Sequence, residues 1–212
     1  MLKKILLITI CFISVNLIAQ LQPPFDQVKL LPLDMHGWFT PANQLKLKEF
    51  VEKLQPKIAV EIGTWLGVSA IYTAKLLPKN SKLYCIDPWE PYVEMAGVKE
   101  CEIRFNTAYE QFLSNCIHNN VADKIIPLKM RSQEAVKLLA TVNNIDLIYV
   151  DGSHQEDDVY NDILAWYPKL SKIGIICGDD VFIEGVRKGY TKAASKLNLK
   201  VQVYGNFWWL ER

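Results

Sequence analysis

Three aspartates and one histidine in the second half of the chain have the types and spacing of a site for proton transfer or cation binding. Asp151 and His154 follow one apolar run, in the segment Asp-Gly-Ser-His, and Asp179 and Asp180 follow the next apolar run. If the two runs are neighbouring parallel strands, these side chains converge at the crevice where open α/β sheets bind ligands. Converging carboxylates repel one another, and raised pKa values or a divalent cation relieve the repulsion.

These four residues allow two interpretations. In the first, Asp151, Asp179 and Asp180 hold a divalent cation, for which an all-oxygen set suits Mg²⁺, Ca²⁺ or Mn²⁺ rather than zinc. His154 is then a general base, because an imidazole titrates near neutral pH. In the second, Asp179 and Asp180 cap a turn and His154 is a structural hydrogen-bonding group. Both interpretations depend on the elements that position the residues.

A glycine-containing turn earlier in the chain has the character of a ligand-binding loop. The sequence from residue 61 to residue 69 is Glu-Ile-Gly-Thr-Trp-Leu-Gly-Val-Ser, between a predicted strand and a predicted helix. Glycine lets the backbone approach a ligand closely, and a helix start offers free N–H groups. Asp87 ends the next predicted strand, 24 residues after Gly63, where it could accept hydrogen bonds from both ribose hydroxyls of a nucleoside. An aspartate in that position is also typical of a turn cap.

Strand-like apolar runs alternate with helical patterns between residues 58 and 197. The alternation predicts right-handed crossovers and a doubly wound α/β fold, with a mainly parallel seven-stranded sheet and helices on both faces. Only Gly205 and Asn206 separate the last two runs, so these should form a C-terminal antiparallel hairpin. The predicted strands are 58–62, 82–86, 124–129, 145–150, 173–177, 199–204 and 207–210, and the predicted helices are 68–77, 103–118, 133–140, 157–167 and 185–197.

Two segments precede this α/β domain, which we place at residues 56–212. Residues 1–19 contain two lysines followed by an uncharged apolar run, shorter than the ~20 residues that span a bilayer. We expect a signal peptide or an N-terminal anchor, and hence a protein that is exported (periplasmic or secreted) or anchored by this segment. Residues 20–55 form an extension with one helix, which Thr40 and Pro41 open and in which Leu45 and Phe50 are among the buried candidates.

Composition narrows the function further. Half of the residues are hydrophobic and the formal net charge is +1, which gives no reason to expect nucleic acid or a membrane surface as a partner. Cys85 and Cys177 lie in apolar runs, where free thiols behave as small hydrophobic groups. No Cys-x-x-Cys pair indicates zinc. The composition therefore supports neither a nucleic-acid partner nor a zinc site.

Four motifs together resemble the catechol O-methyltransferase-like group of class I S-adenosylmethionine-dependent methyltransferases, and also small bacterial sugar O-methyltransferases. Each motif is weak alone, but all occur in the same order at the ends of predicted strands. The resemblance covers roughly residues 56–200, which makes 56–212 the methyltransferase domain. The motifs are Glu61-x-Gly63-x-x-x-Gly67-x-Ser69, Ser132-Gln133, the run from Asp146 to His154 that contains Asp151, and Gly178-Asp179-Asp180.

This resemblance implies S-adenosylmethionine as cofactor, with Mg²⁺ or another divalent cation as a second one. Methyl transfer to a hydroxyl oxygen of a small molecule is the implied reaction, with His154 and Asp151 at the catalytic centre. The implied cofactor contacts are Glu61, Gly63 and Gly67 beneath the methionine part, Ser69 at its carboxylate, Asp87 at the ribose, and Ser132 and Gln133 at the adenine edge. If Asp151 does not hold a cation, it is the implied contact of the cofactor's amino group.

Two other functions remain as alternatives. A nucleotide-dependent oxidoreductase shares the fold class but is disfavoured, because GxGxxG is missing and the sheet should end in a hairpin. An exported binding protein could instead keep the methyltransferase fold without turnover. That alternative arises because S-adenosylmethionine is made in the cytoplasm, so export would separate an enzyme from its cofactor.

Overall fold

The computed structural model describes residues 21–91 and 98–212. The predicted leader, residues 1–19, lies outside the described residues, so the domain boundary at residue 20 stays a prediction. Within the described ranges no helix is long and apolar enough to span a membrane.

Seven strands of the described chain form one sheet in the order β3-β2-β1-β4-β5-β7-β6. Strands β1 to β5 run parallel to one another, whereas β7 runs antiparallel to both β5 and β6. The predicted fold class, including the C-terminal hairpin, is therefore confirmed. The strands are β1 (Ile58–Ile62), β2 (Lys82–Asp87), β3 (Ile125–Lys129), β4 (Ile145–Val150), β5 (Leu170–Gly178), β6 (Lys200–Tyr204) and β7 (Phe207–Glu211).

Helices cover both faces of this sheet. Successive residues of a strand point to opposite faces, and Ala59 and Val60 of β1 accordingly belong to two separate hydrophobic clusters. Phe112 lies in the first cluster and Trp166 in the second, and both side chains are fully buried. The helices are α1 (Pro41–Leu54), α2 (Val68–Leu76), α3 (Lys99–Glu102), α4 (Ala108–His118), α5 (Ser132–Leu138), α6 (Glu156–Trp166) and α7 (Glu184–Leu197).

Two local predictions were wrong. The helix expected over 103–118 is interrupted, because the chain leaves α3 at Ile103, passes through a 3₁₀ turn at Phe105–Thr107 and begins α4 at Ala108. Leu45 is 44% exposed, because the buried face of α1 passes through Asn43, Leu47, Phe50 and Val51 instead. The start of α1 is as expected, with Thr40 Oγ1 accepting the Asn43 N–H at 3.3 Å.

Candidate active site

Both glycines of the turn after β1 are required by the protein's own packing. Gly63 and Gly67 have φ values of +83° and +89°, in the left-handed region that disfavours other residues. A Cβ atom at Gly63 would overlap the carbonyl oxygen of Asp151, and one at Gly67 would lie 2.6 Å from the ring of Phe112. The turn is therefore fixed against β4 and α4, at the carboxyl edge of the sheet. That the turn also binds a cofactor stays a prediction.

The side chain of Asp87 accepts hydrogen bonds from the backbone of this turn. One carboxylate oxygen, Oδ2, accepts the N–H groups of Thr64 and Trp65, both at 2.9 Å, and Oδ1 accepts the N–H of Trp89 at 2.6 Å. Trp65 and Trp89 both have φ of +49°, and the Trp89 indole donates to the Trp65 carbonyl at 2.7 Å. Burial raises the pKa of Asp87, although the three N–H donors oppose that rise.

The Asp87 geometry fits one ribose hydroxyl better than two. An ionised carboxylate offers about four lone-pair positions, and backbone donors already fill three of them. The free position is on Oδ1, which has one donor where Oδ2 has two. The predicted contact with a ribose is untested. The capping role, given above as its alternative, is present in the structure.

Glu61 and Ser69 form a buried pair beneath the turn. Ser69 Oγ donates to Glu61 Oε1 at 2.9 Å, and Glu61 is 1% exposed. Burial raises the pKa of the Glu61 carboxyl to about 8, against the opposing effect of the Ser69 hydrogen bond. The Ser69 hydroxyl, predicted to bind the cofactor's carboxylate, thus already has a partner inside the protein.

Ser132 and Gln133 begin α5 and turn their side chains toward α6. Gln133 Nε2 donates to Asp162 Oδ1 at 2.9 Å, and the Trp166 indole donates to Ser132 Oγ at 2.9 Å. The predicted contacts with an adenine edge are untested, and the structure adds that both side chains are held by a buried carboxylate and a buried indole.

His154 is paired with Asp180 at the carboxyl edge between β4 and β5. Its Nε2 lies 2.9 Å from Asp180 Oδ2, and both side chains are about one quarter exposed, at 25% and 26%. Burial alone would raise the pKa of Asp180, but the hydrogen bond and charge of His154 outweigh it and the pKa is lowered. Asn206, in the turn of the hairpin, donates to Asp179 Oδ1 at 2.6 Å and to Asp180 Oδ1 at 3.3 Å.

Asp151 lies beside this pair. It lines a recess of about 10 Å³ together with His154, Asp179 and Asp180, a volume about the size of one water molecule. Within residues 21–91 and 98–212 no group donates a hydrogen bond to the Asp151 carboxylate. Burial, together with the charges of Asp179 and Asp180, raises its pKa well above the usual range. A hydrogen-bond donor or a cationic group would be stabilised here.

The three aspartates are not assembled as the predicted cation site. Nowhere in the described chain do three or more His, Cys, Asp or Glu side chains form a group that could hold a metal ion. Asp180 directs one oxygen to His154. Asp179 Oδ1 accepts both Asn206 and the Asp180 backbone N–H, each at 2.6 Å. These donors occupy the oxygens that a divalent cation would need, so the arrangement does not fit one.

Sequence reasoning missed three residues that act on Asp179. Asn43 of α1, fully buried, donates to the hydroxyl of Tyr149 at 3.1 Å, and both residues act to lower the pKa of the Asp179 carboxyl. Asn206 holds the same carboxylate from the hairpin. Burial raises the pKa of Asp179 to about 6 against these hydrogen bonds. In the sequence, Asn43 is typical of a helix start and Asn206 of a turn, so neither pattern pointed to the site.

Comparison with known proteins identifies the family. Residues 60–181, more than half of the chain, match the model of a family described as a methyltransferase domain. The chain belongs to this methyltransferase family. A curated relative of this methyltransferase, the uncharacterized protein R132 of Acanthamoeba polyphaga mimivirus, is 32% identical over 126 residues, 57% of this chain. The chain spans half the length of that relative.

Solved methyltransferase structures share the fold. An O-methyltransferase from Bacillus cereus in complex with SAH matches this methyltransferase with a TM-score of 0.64 and 15% identity, over 85% of this chain and 84% of that one. The O-methyltransferase TomG of Streptomyces achromogenes, involved in tomaymycin synthesis and in complex with SAM, matches with a TM-score of 0.63 and 18% identity, over 93% and 88% of the two chains. At such identities the likeness establishes the fold.

Proposed function

We propose that this chain transfers a methyl group from S-adenosylmethionine to a hydroxyl oxygen of a small molecule, with His154 as the general base. The observation that carries the proposal is the His154–Asp180 pair, 2.9 Å apart, in the recess that Asp151 also lines. Family membership supports methyl transfer, and the O-methyltransferases of the same fold support an oxygen acceptor.

The described residues fit the cofactor at three points. Asp87 keeps one acceptor position for a ribose hydroxyl, and Asp151 offers an unshared carboxylate for the amino group. Gly63 lies between them, where its backbone packs on Asp151. When bound, S-adenosylmethionine supplies a methyl group on a sulfonium that is open to in-line displacement. The chain's own task is alignment of the acceptor oxygen and removal of its proton.

His154 and Asp180 divide the work on the proton. As the oxygen–carbon bond forms and the sulfur–carbon bond breaks, the imidazole of His154 takes the proton of the acceptor hydroxyl. Asp180 keeps the ring oriented and stabilises its cationic form, because the two are in hydrogen-bond contact. Since the carboxylates do not fit a divalent cation, no step is assigned to one.

Calorimetry and a transfer assay test this proposal. The full chain should bind S-adenosylhomocysteine, and methyl-labelled S-adenosylmethionine should label an acceptor in a screen of catechols and hydroxylated sugars. Labelling should persist in EDTA, and its loss with EDTA would contradict the metal-free assignment. Binding without labelling of any acceptor would favour the exported binding protein that keeps the fold without turnover. Failure to bind either cofactor form would refute the proposal.

We also propose that residues 1–19 direct export or anchor the chain, on the sequence pattern alone. Expression of the full chain in a bacterium, followed by separation of cytoplasm, periplasm and membrane, should place it outside the cytoplasm. A protein that starts at Gln20 should stay in the cytoplasm and melt cooperatively. Equal distribution of the two proteins would contradict a targeting role.

A further inference from the structure

A buried carboxylate behind the end of β3 has no part in the function proposed above. Asp162 of α6 is 8% exposed and accepts Gln133 Nε2 at 2.9 Å. The Ser132 hydroxyl acts to lower the pKa of this carboxyl, and the Trp166 indole donates to Ser132 Oγ at 2.9 Å. Burial raises the pKa of the Asp162 carboxyl to about 6. Four side chains from α5 and α6 thus form one polar cluster at the start of α5.

The start of α5 lies beside the cofactor's expected position. Asp87 pairs with Lys129 across the parallel strands β2 and β3, and the Met130 N–H donates to the Asp87 carbonyl at 3.1 Å. A nucleoside whose ribose is held at the end of β2, and whose other end lies over the turn of β1, must extend its base toward β3. Residues 130–133 are the first part of the chain that such a base meets.

The orientation of Gln133 therefore depends on Asp162, and that of the neighbouring Ser132 depends on Trp166 of the same helix. A buried carboxylate is a costly way to join two helices, since burying a charge is unfavourable unless hydrogen bonds compensate. Apolar side chains would join α5 to α6 at a lower cost. What the carboxylate adds is direction, because its hydrogen bond fixes where Gln133 points, next to Ser132, which the Trp166 indole holds.

We propose that Asp162 is a positioning residue for recognition of the cofactor's base, holding Ser132 and Gln133 as the wall against which the adenine lies. The inference rests on the proposed function, because it requires that S-adenosylmethionine binds at this edge. Asp162 itself does not touch the cofactor. It acts through the two residues that begin α5.

Calorimetry with two ligands tests the positioning role on the full chain. S-adenosylhomocysteine and S-inosylhomocysteine differ only at the edge of the base, so the ratio of their dissociation constants measures base recognition. Asp162→Ala should weaken binding of S-adenosylhomocysteine by about tenfold, because the base loses one hydrogen bond to a side chain that is no longer held in place. The ratio should fall toward one. Asp157→Ala is the matched control, because Asp157 lies on the same helix and its side chain is 81% exposed.

Two further variants keep the test decisive if Asp162→Ala folds poorly. Asp162→Asn retains an acceptor for Gln133 and should recover part of the affinity. Gln133→Ala should weaken binding of S-adenosylhomocysteine as much as Asp162→Ala does. A variant with both substitutions should lose little more affinity, because both residues act through one contact. Three results would overturn the inference. They are an unchanged ratio of dissociation constants in the variants, equally weakened binding of both ligands, and a ratio of one in the unaltered protein. No binding of either ligand to the unaltered protein would instead refute the proposed function, and this inference with it.

Discussion

Two corners of the same sheet edge hold their acids in different ways. At the β1–β2 corner, Asp87 accepts three backbone N–H groups and Glu61 lies buried beneath them. At the β4–β5 corner, Asp179 and Asp180 are held by the side chains of Asn206 and His154. The first corner is a rigid cradle, and the second is a network of side chains.

This difference separates binding from chemistry. Backbone donors hold Asp87 in place whatever the neighbouring side chains are, which suits a cradle that binds one invariant cofactor. Side-chain partners can exchange protons and reorient, which suits a base that must respond to an acceptor. Substitutions at the first corner should therefore change affinity and stability, whereas those at the second should change turnover.

Replacement of His154 should have the largest effect. With an acceptor in hand, His154→Ala should slow methyl transfer by ~10²–10⁴-fold, the usual contribution of a positioned general base. Binding of S-adenosylhomocysteine should stay within about twofold, because the imidazole pairs with Asp180, which is not among the proposed cofactor contacts. Initial rates and calorimetry on the same preparation measure both quantities.

The control is His118→Ala, since His118 lies at the end of α4 and contacts the Leu31 carbonyl at 2.8 Å. Full turnover of His154→Ala would show that solvent accepts the proton. A parallel loss of cofactor affinity would remove the distinction between the two corners.

The same distinction explains what could be predicted from the sequence. The strand ends, the hairpin and the α1 cap follow from local patterns, because apolar periodicity, Pro41 and the Gly205-Asn206 turn act over a few residues. That Asp151, His154, Asp179 and Asp180 meet at one edge followed from the parallel topology alone. The sequence therefore predicted that these four residues lie together, as they do around one recess.

Partners within the site were harder to predict. Asp180 faces His154 because its backbone has φ of +61° and Asn206 holds its other oxygen, neither of which a strand-end pattern reveals. Asn43 reaches Tyr149 from 106 residues away. Partners within the protein engage the carboxylates of Asp179 and Asp180, and a count of carboxylates in the sequence does not reveal these contacts.

Glu61 should show the next largest effect, in the free energy of unfolding. Its folded pKa, about 8, lies above the ordinary value of 4.5, so the folded state binds the proton more tightly. Its stabilising contribution is full below about pH 4.5 and is lost as the pH rises to about 8. Glu61→Gln keeps an acceptor for Ser69 without the charge. As the pH rises from 5 to 8, the free energy of unfolding of the variant should increase relative to that of the unaltered protein by on the order of 4 kcal/mol.

Denaturant unfolding at the two pH values measures this difference. Glu52→Gln is the control, because Glu52 lies on α1 with its side chain 61% exposed. Its replacement should change the free energy of unfolding equally at the two pH values. Equal stability of Glu61→Gln and the unaltered protein at pH 8 would mean that Glu61 is ionised in the folded state at little cost in free energy. Burial at the first corner would then not penalise the charge.

Asp87 should show the smallest of the three effects. Its replacement separates cofactor binding from stabilisation of the turn. Asp87→Ala should weaken S-adenosylhomocysteine binding by ~1.5–3 kcal/mol, the usual range for a hydrogen bond to a charged group. It should also lower the melting temperature, because the N–H groups of Thr64, Trp65 and Trp89 lose their acceptor. Calorimetry well below the melting point separates the two losses, with the exposed Asp123→Ala as control. Lower stability with an unchanged dissociation constant would leave Asp87 as a turn cap alone, and the ribose would then need another partner.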